Sequence, residues 1–393
     1  MTAPSTLVAA ERSSGGSPDW LPLALFCMGH FFVDLYSGAL GTLQPALLDR
    51  FRLSYTEAGV LAGVLVFSSS VMQPVYGYLS DRLHSRLFAA LGPAMAGVFI
   101  STLGWAPGYA GLLAMVLLGG AGIAAFHPQA AANAVAGVRR NRGRAMAVFV
   151  CSGSLGLAMG PLFFSALTRG GTLAHTAWGA LPGLATTMLL LVLMRPPAGR
   201  PQPAAKFDWE PLRSVWKPML VLYFLVVIRS IVQITFTQML PLYLHTQRNY
   251  SLPAASLCLA LYLLGGAAGG MAGGTLADRF GGRRVIMISM LGSTPLLALF
   301  VFGHGALSVA GLFLGGAILL FTIPVNVVMA QDLVPAQAGT VSALMMGFAW
   351  GIAGLIFIPL TGWISDLYSM QWAFAGLIAF PLIGFLLALR LPK

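Results

Sequence analysis

Charge is what this chain lacks. Only 8% of its residues are charged, and its 393 residues include just 11 Asp and Glu against 22 Lys and Arg. Soluble domains carry roughly 25% charged residues, so a water-facing globule is excluded. Cysteine is nearly absent too: Cys27, Cys151 and Cys258 stand apart within apolar stretches, with no spacing suited to a disulfide framework or a metal site. No phosphate-binding glycine loop, zinc-ligand pair or Ser-His-Asp order stands out, and the few carboxylates fall mostly at the ends of apolar runs. The residues therefore argue against an enzyme, a cofactor or a bound metal.

Apolar residues take up the space instead. They make up 58% of the chain, and the mean hydropathy is +0.83. Cut at charged or Gly/Pro breaks, the sequence yields twelve runs, near 20–48, 57–80, 86–106, 108–137, 143–168, 173–194, 217–245, 252–277, 284–303, 305–331, 339–365 and 370–390. Crossing a ~30 Å hydrocarbon core takes about 20 residues, so each is a candidate span. The prediction is an all-α membrane protein of twelve transmembrane helices.

Orientation follows from the basic residues. With the N-terminus inside, 17 Lys and Arg fall in inner segments and only Arg50, Arg52, Arg169 and Arg248 in outer loops. Both termini are therefore expected in the cytoplasm, at a cell (inner) membrane. The net charge of +11 then reflects short loops such as Arg139-Arg140-Asn141-Arg142 facing anionic lipid, with no nucleic-acid partner implied. Residues 1–19 lack a basic n-region and cleavage site and read as a disordered cytoplasmic tail. The Pro-rich, basic stretch over 196–216 reads as a cytoplasmic linker.

One phrase occurs twice. Gly77-Tyr78-Leu79-Ser80-Asp81-Arg82 is echoed by Gly274-Thr275-Leu276-Ala277-Asp278-Arg279, 197 residues later (278 − 81), and Pro128 and Pro324 repeat at 196 (324 − 128). The chain thus divides into two similar six-helix bundles, 20–195 and 217–393. Such pseudo-symmetry is expected of a secondary transporter with its site between the halves. Asp81, Arg82, Asp278 and Arg279 are gating candidates, able to cap a helix or pair across the halves in one state; a solvated turn is the plain alternative.

The doubled phrase, the twelve spans and the linker resemble the major facilitator superfamily over nearly the whole chain. His30-Phe31-Phe32-Val33-Asp34-Leu35-Tyr36-Ser37-Gly38, Phe126-His127-Pro128, Arg229-Ser230 and Leu240-Pro241-Leu242-Tyr243-Leu244 resemble its fosmidomycin-resistance branch of drug exporters. That resemblance implies proton-driven export of a small molecule. Gln129 stands where the resemblance implies a Glu, which removes any proton-carrying role of that Glu. Gly156-Leu157-Ala158-Met159-Gly160-Pro161 is close to the superfamily's antiporter signature, with small-residue packing as the alternative.

Only Asp34 and Arg229 are charges deep in a span, where an unpaired charge costs at least ~2.5–3.5 kcal/mol. They sit at nearly equivalent places in the halves, 195 residues apart (229 − 34), so a salt bridge between the halves is expected. Asp34 protonated leaves Arg229 free to hold an anionic substrate; Asp34 ionised competes for it, coupling proton and substrate by exchange. His30, four residues before Asp34, shares its face as a proton relay. His127, Gln233, Asn326, Tyr36 and Phe236 are substrate-binding candidates. Pro128 and Pro324 are expected to interrupt their helices beside the pathway. The reading is a proton-coupled antiporter exporting a small molecule, acting as a monomer; its rival is a proton-coupled symporter importing a small carboxylate.

Overall fold

The computed structural model describes residues 20–83, 85–135, 138, 142–168, 172–194 and 210–391. The expected tail (1–19), residues 196–209 of the expected linker, Arg139, Arg140 and the side chain of Asp81 lie outside what is described. Among the described residues all regular structure is helical. Eleven helices are long and apolar enough to cross a membrane: α1 Leu21–Phe51, α2 Tyr55–Ser80, α4 Tyr109–Ala134, α5 Gly143–Leu167, α6 Ala174–Leu193, α7 Trp216–Arg248, α8 Leu252–Phe280, α9 Gly282–Phe302, α10 Gly305–Leu333, α11 Val341–Leu367 and α12 Met370–Ala388. The third expected run carries a shorter apolar helix, α3, Leu87–Ser101, followed by a short 3-10 segment, Leu103–Trp105. Helices are the form these runs must take, because lipid offers the backbone no partners.

Local chemistry sets the ends, and it repeats. Arg52 and Asn249 end α1 and α7 in the left-handed conformation, with φ of 55° and 56°. They are 197 residues apart (249 − 52). Two residues beyond each, Ser54 and Ser251 cap the N-termini of α2 and α8 with their side chains, and Ser54 adds a capping box with Glu57. The equivalence seen in the sequence therefore extends to backbone conformation.

Packing joins α1 with α4 and α5, α2 with α4, and α3 with α4 and α6; among the later helices α8 and α9 pack on α10, and α7 and α9 on α12. The two sets meet through α2 with α11, α5 with α8, and α1 with α7. On α5, a Cβ added to Gly156 would lie 2.0 Å from the carbonyl oxygen of Phe31, and one added to Gly160 would lie 2.3 Å from that of Leu35. The Gly-x-x-x-Gly phrase is thus where α5 and α1 touch backbone to backbone. An aromatic cluster of Phe236, Tyr243, Phe300 and Phe374 fills the core around α7, with Tyr243 and Phe374 stacked at 4.3 Å.

The proline expectation fails in the first half and is met in the second. α4 runs unbroken through Pro128. α10 breaks at Leu320–Phe321, and Pro324 lies in the first turn of the new segment, Thr322–Leu333, where its missing N–H costs no bond.

Candidate functional site

Asp34 is held between two histidines. One helical turn earlier on α1, His30 brings Nε2 to 3.3 Å from Oδ2; from α4, His127 brings Nε2 to 3.2 Å from Oδ1. Each imidazole is anchored at its other nitrogen: His30 Nδ1 to the carbonyl of Phe149 on α5 at 2.8 Å, and His127 Nδ1 to the carbonyl of Ile123 at 2.8 Å. His30 also stacks on the Phe149 ring, centroids 4.2 Å apart. The side chains are 10% (His30), 18% (Asp34) and 22% (His127) exposed, His30 buried and the other two partly buried, so solvent still reaches them.

These contacts fix a hydrogen count. A carbonyl oxygen only accepts, so each Nδ1 carries its hydrogen, and the neutral ring then turns an Nε2 lone pair toward Asp34. A lone pair and a carboxylate repel at this range. The two close contacts therefore need two hydrogens, either on both Nε2 atoms or on one Nε2 and the carboxyl group. His30 takes part as the i,i+4 spacing foretells, while His127 joins it through the packing of α4 on α1.

The expected Asp34–Arg229 salt bridge is not formed. Asp34 is satisfied by its own half, while Arg229, 3% exposed on α7, donates through Nη1 to Gln233 Oε1 on the next turn. Its guanidinium lies over the ring of Trp350 from α11, 6.0 Å from the centroid. Among the described residues Arg229 has no acidic partner, and its Nε has no hydrogen-bond partner. Other buried residues share the pattern of unpartnered polar atoms: both amide atoms of the candidate Asn326, and the hydroxyl of Tyr262, which the sequence did not single out. The second half thus presents a buried cation with an unused Nε donor, and the first an acid–imidazole cluster.

Other candidates fall elsewhere. Tyr36 is wholly buried in the α1–α6 contact, where its hydroxyl donates to Gly179 O at 2.7 Å and accepts from Gly183 N at 2.8 Å; nothing is left for a substrate. Phe236 packs against Tyr262, Phe300 and Phe374 in the core. Among the described residues, Arg82, Asp278 and Arg279 make no ion pair or hydrogen bond. Residues 73–83 pack chiefly on α4, within their own half.

A hydrogen-bonded contact between the halves lies at the opposite end of α2, at a residue the sequence does not single out. The carboxylate of Asp366, at the end of α11, accepts from Tyr55 N (2.9 Å), Thr56 N (2.8 Å) and Thr56 Oγ1 (2.5 Å), capping the positive end of α2. From there the α2–α11 contact runs inward to Gly351 against Val71. Asp366→Ala is expected to weaken closure of this end by about 1–2 kcal/mol, a factor of roughly 5–30. The check is the labelling rate of a Val66→Cys probe by an impermeant reagent; an unchanged rate rules out a latch.

Gln129 also has a structural task. Buried on α4, it accepts from Ala89 N (3.0 Å) and donates to Ser80 Oγ (2.8 Å) and Ser85 O (2.9 Å), tying the first Asp-Arg loop to α3. A carboxylate cannot donate, so Gln129→Glu strands the Ser85 carbonyl and buries a charge, and only the Ser80 hydroxyl can turn to donate in its place. The substitution is expected to lower stability by about 1–3 kcal/mol, read as a fall in Tm; an unchanged Tm counts against this tie.

Comparison with known proteins agrees with this architecture. The model of the Major Facilitator Superfamily matches residues 26–260 and 222–393. The chain is 29% identical to an uncharacterised MFS-type transporter, YfnC, of Bacillus subtilis (strain 168), over 83% of this chain and 82% of that one. It is 26% identical to the fosmidomycin resistance protein of Escherichia coli (strain K12), over 89% and 87%. A variant of the nucleoside transporter NupG superposes with a TM-score of 0.81 at 15% identity, covering 95% of this chain and 100% of that one. A bacterial homologue of the lysosomal transporter Spinster, inward-facing and unoccupied, gives 0.80 at 13%, covering 95% and 97%. At these identities the structural likeness is one of fold.

Proposed function

The chain belongs to the major facilitator superfamily of membrane transporters, and on that premise we propose that it is a proton-coupled antiporter exporting a small, anionic molecule by alternating access. In this reading α3 completes twelve spans, arranged as two six-helix bundles (20–195 and 217–393) that rock about a central site. Both termini lie in the cytoplasm, and a monomer in the inner membrane suffices. The repeated cap geometry at Arg52 and Asn249 supports the two bundles, and the distribution of Lys and Arg supports the orientation. The end at Asp366 is then periplasmic, and Arg82, Asp278 and Arg279, without ion pairs among the described residues, belong to the cytoplasmic side, which this reading takes as open.

The carrying observation is the division of labour between the two halves of the chain: an Asp34 cluster that requires two hydrogens, and an Arg229 with no acid to pair it among the described residues. Without its hydrogens the cluster sets two nitrogen lone pairs against a carboxylate and must stay hydrated, which opposes closure of the cavity around it. Loaded, it can be dehydrated and carried across. Substrate on Arg229 and Gln233 fills the cavity on the opposite stroke, so the two loads alternate. The fosmidomycin resistance protein, by its name a resistance determinant, favours export over import.

One observation favours the symport alternative. A loaded Asp34 cluster and Arg229 are both positive and attract an anion together, which promotes co-binding. The deciding experiment is flux in proteoliposomes under an imposed pH gradient. Antiport moves substrate against the proton flow, symport moves it with the flow, and flux indifferent to the gradient overturns proton coupling. Disulfide cross-linking of the two cytoplasmic ends is expected to stop transport and reduction to restore it; normal rates in the linked protein overturn the rocking of the bundles.

A further inference from the structure

We propose that His30, Asp34 and His127 also form a divalent transition-metal site, one that zinc or a neighbouring first-row ion occupies in place of the two hydrogens. The inference uses the residues of the proposed proton cluster but does not depend on transport being proton-coupled.

The donor set is the first reason. Two imidazole nitrogens and a carboxylate are the ligands zinc and its neighbours select, and here the ligand atoms all lie within 4.8 Å of one another. Ligands about 2.0–2.1 Å from a tetrahedral ion stand roughly 3.3 Å apart; the Asp34 oxygens lie 3.3 and 3.2 Å from the two Nε2 atoms.

Orientation is the second reason. Metal-bound histidines are aimed by a hydrogen bond from the other ring nitrogen. Here Phe149 O and Ile123 O take both Nδ1 hydrogens, leaving both Nε2 lone pairs turned toward the Asp34 carboxylate. Nothing on α5 obstructs the cluster, because the facing residue is Gly153; a Cβ there would stand 2.4 Å from His30 Nε2 and 2.6 Å from Asp34 Oδ2.

Charge is the third reason. Two hydrogens and a divalent cation each bring +2, so a metal satisfies the same electrostatic demand. Three protein ligands leave a fourth position for water, as in open zinc sites, and the partial exposure of His127 and Asp34 supplies the access. A metal seated there excludes the hydrogens and halts a cycle that needs them.

The test uses the full-length purified protein in nanodiscs with Co2+ as an optical probe and Zn2+ as competitor. One Co2+ per chain with the strong visible absorption of tetrahedral cobalt, displaced by Zn2+, is expected. His30→Ala, Asp34→Asn, His127→Ala and the gentler His127→Gln should each weaken binding at least about tenfold, while His245→Ala, far along the chain, binds as the wild type does. No cobalt band, or equal binding by His127→Gln in a protein of unchanged Tm, overturns the site. Zinc binding without proton-coupled flux would remove the proposed function and leave the metal site; coupled flux without zinc binding would do the reverse.

Discussion

Asp34→Asn is expected to abolish gradient-driven transport while leaving the protein folded and membrane-inserted. Asn offers an oxygen that accepts from one protonated Nε2 and an NH2 that donates to the lone pair of the other. The variant thus completes both contacts with a single imidazole hydrogen and carries no titrating group between the histidines. Without the carboxylate charge nothing here draws a second hydrogen, so the two-hydrogen load that the wild type alternates with its empty state does not form. The measurement is paired: substrate flux under a pH gradient, and substrate-induced proton movement reported by a pH-sensitive dye in the lumen. Both should fall to background, with exchange of substrate down its own gradient surviving. Wild-type uphill flux by this variant would remove Asp34 from the coupling site.

The architecture was legible because membranes leave the chain few options. Runs of apolar residues must be helices in lipid, and the expected runs coincide with the observed helices to within a few residues, as with 252–277 against Leu252–Phe280. The short α3 is the exception: its expected run, 86–106, contains the 3-10 turn that ends the helix early, and hydropathy does not register a turn. Pro128 misled in a similar way, since α4 runs through it unbroken, while the interruption expected at Pro324 is met by the break at Leu320–Phe321, with the proline in the first turn that follows.

The site was legible in its members and not in its pairings. Cost alone singles out Asp34 and Arg229, because a charge in a span is retained only for a reason. Their sequence symmetry suggested a bond between them. Nothing local reveals that His127, 93 residues further on (127 − 34), reaches Asp34 first through the packing of α4 on α1. Trp350 and Asp366 were missed for the same reason: an aromatic in an apolar run and a carboxylate at a helix end are common, and only the approach of α11 to α7 and α2 gives them partners.

Arg229→Met should separate binding from folding. Met keeps an unbranched chain of similar reach on α7 and removes the charge, so the packing on Trp350 survives while the guanidinium is lost. A buried cation without an acid costs stability, and its removal should leave Tm unchanged or raised even though the bond to Gln233 goes with it. Anion binding should behave in the opposite sense. A hydrogen bond to a charged group contributes about 1.5–3 kcal/mol, so affinity for anionic substrates should fall about 10- to 150-fold, with neutral analogues much less affected. Arg229→Lys should recover only part of the loss, since a compact ammonium has neither the planar fork nor the stacking face that lies over Trp350. Thermal shift across carboxylates, phosphonates and neutral analogues reads both quantities at once, through Tm without ligand and the increment with it. If Arg229→Met loses stability and keeps its affinity for anions, Arg229 is a structural residue, and the anionic half of the proposed site falls with it.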